Sequence, residues 1–369
     1  MNAGEQDPVA AIALTMVPRV GDVHARILME RYGTAPAVFA AARRELEAIP
    51  GIGTVRAASI RSFRAFHLAQ AEWEWTRRSE VQVIVHGTST YPRRLAHCAD
   101  APLVLYGKGD TGDRERTVAV IGTRKPSPWC VKATHDIIQG LAPLGIQVVS
   151  GLAQGIDTEA HRIALRDGLH TIGVLGHGLD ILYPPSNARL ARDMLNHGGL
   201  LTEFRNGTMP DAPNFPRRNR IVAGLADAVL VIETGVKGGS MITARLAFGY
   251  DRDLFALPGR STDESSLGCN RLIQENKAML VTAAEDMVKA MNWDLAPARP
   301  SARQPALFID LTPEEERIMQ VLREAAGPEG ADEIALRAGL RTSQSSALLL
   351  GLEMKGLVLA LPGKRFAMA

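Results

Sequence analysis

The segment of this chain best equipped for chemistry is NFPRRNRIVAGLADAVLVIE (214–233), where Arg217, Arg218 and Arg220 stand with Asn214 and Asn219 beside Phe215. No acid falls between Asp211 and Asp227, so the positive charge has no partner nearby in sequence. Cations that can follow a phosphate chain, next to an aromatic ring that can take a base, are the two requirements for sequence-tolerant binding of single strands. The alternative reading places Phe215 in the core and the arginines on a solvated helix start.

Five further segments carry glycine, with four cations among them: GTRKPSP (122–128), SGLAQGID (150–157), GHGLDILYPPSN (176–187), ETGVKGGS (233–240) and PGR (258–260). Glycine lets backbone N–H groups converge on an anion, and a following helix start adds the positive end of its dipole. Arg124, Lys125, Lys237 and Arg260 add full charges. The spacing matches neither G-x-G-x-x-G nor G-x-x-x-x-G-K-[ST], so neither a dinucleotide nor a triphosphate site is indicated. Covalent chemistry is weakly supported. Asp157, His161, His177, Asp180 and Glu233 are the candidates. Asp157 reads better as a helix N-cap and His161 as a structural residue. Ser150 and Ser240 lack the G-x-S-x-G context of an activated nucleophile, and no carboxylate cluster suggests a metal.

These loops need a scaffold that gathers them. Apolar runs at 83–85, 103–106, 117–121, 146–149, 171–175, 229–232, 254–257 and 279–281 alternate with helix-length amphipathic stretches. That alternation predicts an α/β fold with a mostly parallel sheet covered by helices on both faces. In such a sheet ligands bind beyond the carboxyl ends of the strands, where each glycine-bearing loop emerges. Residues 1–80 read as a small helical domain with turns at VPRVGD (17–22) and IPGIGT (49–54). The second turn is similar to the hairpin of a helix-hairpin-helix module, or is simply a tight link between helices. Residues 81–293 form the α/β domain. DLAPARPSARQP (294–305), with three prolines, is a linker. Residues 306–369 follow a helix, helix, helix, basic hairpin order, which predicts a winged helix starting at Thr312–Pro313.

Across 369 residues the formal charge is only +2, with 46% hydrophobic and 22% charged residues, so any positive surface must be local. The three cysteines, Cys98, Cys130 and Cys269, are widely spaced. They predict neither disulfides nor a zinc site and fit a reducing cytoplasm. No leader pattern and no long apolar run is present, so no membrane contact is expected.

At GTRKPS, SGLAQGID, NFPRRNRIVAGLADAVLVIE, GGSMITA and GCNRLI-x-x-NKA the chain resembles the DNA-processing protein A family (DprA, also called Smf). The resemblance is dense over 85–290 and looser at both ends. It implies an extended Rossmann-like domain flanked by a SAM-like or helix-hairpin-helix domain and a winged helix. It also implies a homodimer that binds single-stranded DNA, protects incoming strands and helps load RecA in natural transformation, without turnover chemistry or a cofactor. Carried over by position, the DNA contacts implied are Gly122, Thr123, Arg124 and Ser127 of the first loop and Ser150 and Gly151 of the second. Asn214, Phe215, Arg218, Asn219 and Arg220 follow from the Arg-rich segment, and Lys237, Gly239 and Ser240 from the fourth loop. Two positions depart from the family pattern. Trp129–Cys130 stand where a tyrosine and a glycine are usual, and Lys237-Gly238-Gly239-Ser240 replaces Lys-Ser-Gly-Ser.

The C-terminal segment is not basic. Residues 306–369 hold seven Lys/Arg and nine Asp/Glu, whereas a duplex-gripping winged helix carries net positive charge. Only Arg337, Arg341, Lys364 and Arg365 are candidates for phosphate contact there, and a protein-contact role is an equal alternative. Two other functions compete for the whole chain. One is a nucleotide hydrolase on a similar scaffold, whose P-G-G-x-G-T-x-x-E motif is absent. The other is a winged-helix regulator whose α/β domain senses a ligand.

Overall fold

A computed structural model describes residues 7–293, 311–325, 327–355, 357–361 and 365–368. The expected linker at 294–305 and Lys364 lie outside the described residues. The chain divides into two units, 1–295 and 296–369.

The first unit begins with six helices: α1 (Pro8–Met16), α2 (Asp22–Tyr32), α3 (Ala35–Ala40), α4 (Arg43–Glu47), α5 (Gly53–Ser62) and α6 (Phe66–Arg78). Proline in the first turn of α1, with the Asp7 carboxylate accepting from the Val9 and Ala10 amides, fixes the first of them. Their apolar faces meet in one cluster built from Ile12, Leu14, Leu28, Leu46 and Ile60. That cluster continues onto the neighbouring strands through Val85, Leu103 and Tyr106. The IPGIGT turn has Gly51 and Gly53 at positive φ. Arg56 braces it, donating to the Gly51 and Arg19 carbonyls and so tying the two turns together.

Nine strands follow: β1 (Gln82–Val85), β2 (Val104–Gly109), β3 (Thr117–Gly122), β4 (Gln147–Ser150), β5 (Thr171–Val174), β6 (Gly198–Thr202), β7 (Ala228–Ile232), β8 (Asp253–Ala256) and β9 (Met279–Leu280). Their order in the sheet is β1-β2-β6-β5-β4-β3-β7-β8-β9. From β6 to β9 every pairing is parallel, while β2 pairs antiparallel with both β6 and β1. Strand β6 is absent from the apolar runs expected above. After β3 the chain winds one way through β4, β5 and β6, then returns to place β7 on the other side of β3. The β3/β7 junction is therefore the topological switch point.

Both faces of this sheet are buried, which is why β3 reads as an unbroken apolar run. Val118 and Val120 point toward α8 (Pro128–Leu141, preceded by the four-residue α7, Arg93–Ala96) and α9 (Ile156–Arg166). Ala119 and Ile121 face the opposite layer, formed by α11 (Asn214–Leu225, after α10, Ala188–Met194), α12 (Ser240–Gly249) and α13 (Leu267–Gln274). The last helix of this unit, α14 (Ala284–Ala290), joins the first layer through Met287.

The second unit packs α15 (Pro313–Glu324), α16 (Ala331–Arg337) and α17 (Thr342–Met354) around Ile318, Leu322, Ile334, Leu349 and Leu352. Thr312 caps α15 as expected: its hydroxyl accepts from the Glu315 amide, and the Glu315 carboxylate accepts from the Thr312 amide. The hairpin β11 (Val358–Leu361) with β12 (Arg365–Met368) gains a third short strand, β10 (Glu329–Gly330), which pairs with β12. Arg337 is engaged by Glu329, and Arg365 donates to the Pro328 carbonyl. Among the described residues no helix is long and apolar enough to cross a membrane.

Candidate nucleic-acid interface

A cleft of about 630 Å³ opens at the switch point. Its walls come from the loops after β3, β4 and β7 and from the first turns of α11. Of the residues implied as DNA contacts, Gly122, Thr123, Arg124, Gly151, Phe215, Arg218, Asn219, Gly239 and Ser240 line it. The remaining five do not line it.

Arg124 and Phe215 form the mouth. Arg124 is exposed, and its guanidinium carbon lies 5.8 Å from the centre of the Phe215 ring. Phe215 is half-buried rather than interior. One side of its ring rests on Gly176, where an added Cβ would sit 3.0 Å from it, and Tyr183 stands 6.0 Å away, tilted by 39°. Tyr183 is itself exposed and lines the cleft. Its sequence signal, an aromatic followed by two prolines in the loop after β5, does not single it out as a site residue. The loop bearing Arg124 is held down by α9. The Ile156 amide donates to the Thr123 carbonyl, and a side chain at Gly155 would collide with that same carbonyl at 2.2 Å.

Arg218 forms the floor. It is 5% exposed, and its Nη1 donates to the Val174 carbonyl at 2.5 Å. The guanidinium lies directly over Gly151, where a Cβ would fall 2.0 Å from Nη1. Burial pushes its pKa down to about 10, against the pull of the Asp157 carboxylate. Among the described residues its Nε has no hydrogen-bond partner. Arg218 thus keeps a charge near the cleft without lying on the surface.

Asp157 is not the N-cap expected. Gly155 occupies that place, and Asp157 is the second residue of α9. Its carboxylate accepts from the Gly151 and Ala153 amides at 3.1 and 3.3 Å. Two backbone donors of the second loop, the Gly151 and Ala153 amides, are therefore already used by an internal carboxylate. Burial raises the Asp157 carboxyl above its usual range, while Arg218 and the two amides oppose that rise.

Five residues that the resemblance implies as DNA contacts lie outside the cleft lining. Ser150 is fully buried, and its hydroxyl donates to the Val120 carbonyl. Ser127 is the N-cap of α8, accepting from the Cys130 amide. The Asn214 side chain donates to the Met209 carbonyl. Lys237 is exposed beside the cleft but does not line it. Arg220 lies on the other face of α11, where its Nη2 is 2.5 Å from Glu203 and 2.9 Å from Asp22. Burial alone would lower the Arg220 guanidinium; the two carboxylates outweigh it and raise it. Arg217 also reaches Glu203, at 2.9 Å, so two of the three clustered arginines are compensated by acids.

The catalytic candidates are similarly occupied. The Thr171 hydroxyl donates to the Val148 carbonyl, so it must accept from His161 Nδ1–H at 2.7 Å. Burial, aided by Arg218, pushes His161 down to about 3 and keeps it neutral. His177 is buried, with Nδ1 facing the Gly178 carbonyl. Glu233 accepts from the Ser127 amide and the Ser265 hydroxyl, and Asp180 from the Gly207 amide. Among the described residues no cluster of His, Cys, Asp or Glu could hold a metal ion.

Fold and site together define a doubly wound α/β protein with a cationic, aromatic-edged cleft at its switch point and a winged helix as a separate unit. The chain belongs to the DNA recombination-mediator protein A family, whose model matches residues 82–292. A DprA winged helix domain matches 296–364, and a helix-hairpin-helix motif matches 11–70. Protein Smf of Synechocystis is 36% identical over 75% of this chain and 77% of its own length. DNA processing protein DprA of Streptococcus pneumoniae is 44% identical over 54% of this chain and 70% of its own. The X-ray structure of the pneumococcal protein superposes with a TM-score of 0.65 at 32% identity, covering 78% of this chain and 98% of that one. DNA processing protein A from Helicobacter pylori, whose structure concerns its single-stranded DNA binding mode, superposes with a TM-score of 0.53 at 32% identity. It covers 58% of this chain and 97% of its own.

Proposed function

We propose that the switch-point cleft holds single-stranded DNA non-covalently, with Arg124 on the sugar–phosphate chain, Phe215 and Tyr183 as the base platform, and Arg218 as a fixed charge beneath. The observation that carries this reading is the exposed Arg124 guanidinium beside the half-buried Phe215 ring at the mouth of a cleft large enough for more than one nucleotide. A cation and a stacking face at one opening suit a strand whose bases are free, and a duplex hides those faces. The reading also draws support from the Helicobacter relative, whose structure concerns single-stranded DNA.

In this reading the protein performs no turnover: the serine, histidine and carboxylates near the cleft spend their hydrogen bonds holding loops in place. Its biological task is to protect incoming strands in the cytoplasm and to help load RecA, acting as a homodimer. Phe248, Met279 and Leu280 are exposed apolar side chains on and near the β9 edge, a surface suited to a second copy.

The test is a titration with fluorescent oligo-dT against duplex of equal length at two salt concentrations. Preference for the single strand, with affinity falling steeply as salt rises, is the expected result. Equal affinity for both forms, or release of base from nucleoside monophosphates, would overturn the reading.

A further inference from the structure

Trp129 is 56% exposed, among the most exposed large apolar side chains in the molecule. The other three tryptophans, Trp73, Trp75 and Trp293, are partly buried against the cores beneath them. Among the described residues Trp129 has no ring partner. A solvent-facing indole presents a broad, flat apolar face on which another flat group can stack.

Its place in the fold suits it to such stacking. Trp129 is the second residue of the fourteen-residue α8, whose start is anchored from several directions. Ser127 caps the helix, and the Ser127 amide donates to Glu233 at 2.7 Å. The same carboxylate accepts from Ser265 at 3.1 Å, linking the loops after β3, β7 and β8. Cys130, the next residue, is buried. The indole therefore projects from a rigid base and loses little entropy when a flat group stacks on it. Arg124, Lys125, Lys237 and Arg260 are all exposed on these linked loops, and among the described residues none of them forms an ion pair. Trp129 lies five positions after Arg124, a span of at most about 18 Å for extended chain. A stacked strand at about 3.4 Å per nucleotide covers that in roughly five steps.

We propose that Trp129 is a second base-stacking platform, receiving the strand as it leaves the Phe215 cleft past Arg124 and Lys125. This rests on the single-strand reading above and extends it: the cleft holds one end of a longer footprint, and the indole holds the other. Lys125 and Lys237 are then the phosphate contacts between the two rings, which accounts for Lys237 lying beside the cleft instead of in it.

The experiment uses the full chain with oligo-dT of about four and about twelve nucleotides, a short and a long length within the roughly 4–16 nucleotide range of such sites. Tryptophan emission and DNA anisotropy are both followed. The long oligonucleotide should quench emission and the short one should not. Trp129→Ala should weaken the long complex about 5- to 160-fold, leave the short one unchanged and leave the thermal midpoint in place. Trp129→Phe should retain most of the long-strand affinity while abolishing the quench. If the wild type binds and Trp129→Ala binds both lengths equally well, the extension is overturned alone. If the wild type binds neither length, the single-strand reading fails and takes the extension with it.

Discussion

The two faces of α11 meet opposite fates. One face turns Phe215, Arg218 and Asn219 toward the switch-point cleft, where the neighbouring loops bring glycines, backbone and Arg124. The other turns Arg217 and Arg220 toward Glu203 and Asp22. Arginines two positions apart in sequence thus serve different ends, one as a buried charge beneath the switch-point cleft, held by the Val174 carbonyl with Asp157 nearby, and the other as part of a buried ionic cluster. Charge density along a sequence says that cations are present; only the distribution of acids in space says which of them remain available to a phosphate.

The largest effect is expected from Arg220→Ala. Removing one partner of a buried ion pair leaves the other charge uncompensated, which costs about 3–5 kcal/mol of stability. Urea unfolding should show that loss, while single-strand affinity measured under fully folded conditions stays near wild type. A large affinity defect in a folded Arg220→Ala protein would erase the distinction between the two faces. A smaller effect of opposite character is expected at Phe215→Ala: stability close to wild type, oligo-dT affinity weaker by about 1–3 kcal/mol, and an unchanged salt dependence. A steep change in salt dependence there would show that the ring acts by positioning Arg124 and not by stacking.

Much of the fold was legible because both faces of the sheet are buried. Val118 and Val120 pack against one helix layer while Ala119 and Ile121 pack against the other, so β3 leaves an uninterrupted apolar run in the sequence. Strand β6 left no such run. It begins Gly198–Gly199, and side chains there would collide with the Thr171 and Lys108 carbonyls at 1.9 and 2.6 Å. Glycine reads as a loop in one dimension, whereas here it permits two neighbouring backbones to approach.

At the site, Arg124, Phe215 and Arg218 were legible because loops after parallel strands share one edge. The compensation of Arg220 was not, since Asp22 is 198 residues away in sequence and Glu203 is 17. The role of Asp157 was hidden for a related reason: an acid at a helix start looks like a cap until its actual partners, the Gly151 and Ala153 amides, are known.

The most direct test of the central claim is the salt dependence of oligo-dT affinity for the wild type, Arg124→Ala and Arg220→Ala. Each phosphate contact on a single strand contributes about −0.7 to the slope of log affinity against log salt. Arg124→Ala should flatten that slope by about 0.7, and Arg220→Ala should leave it unchanged. An unaltered slope in Arg124→Ala, or an equal flattening in folded Arg220→Ala, would contradict the assignment of the cleft.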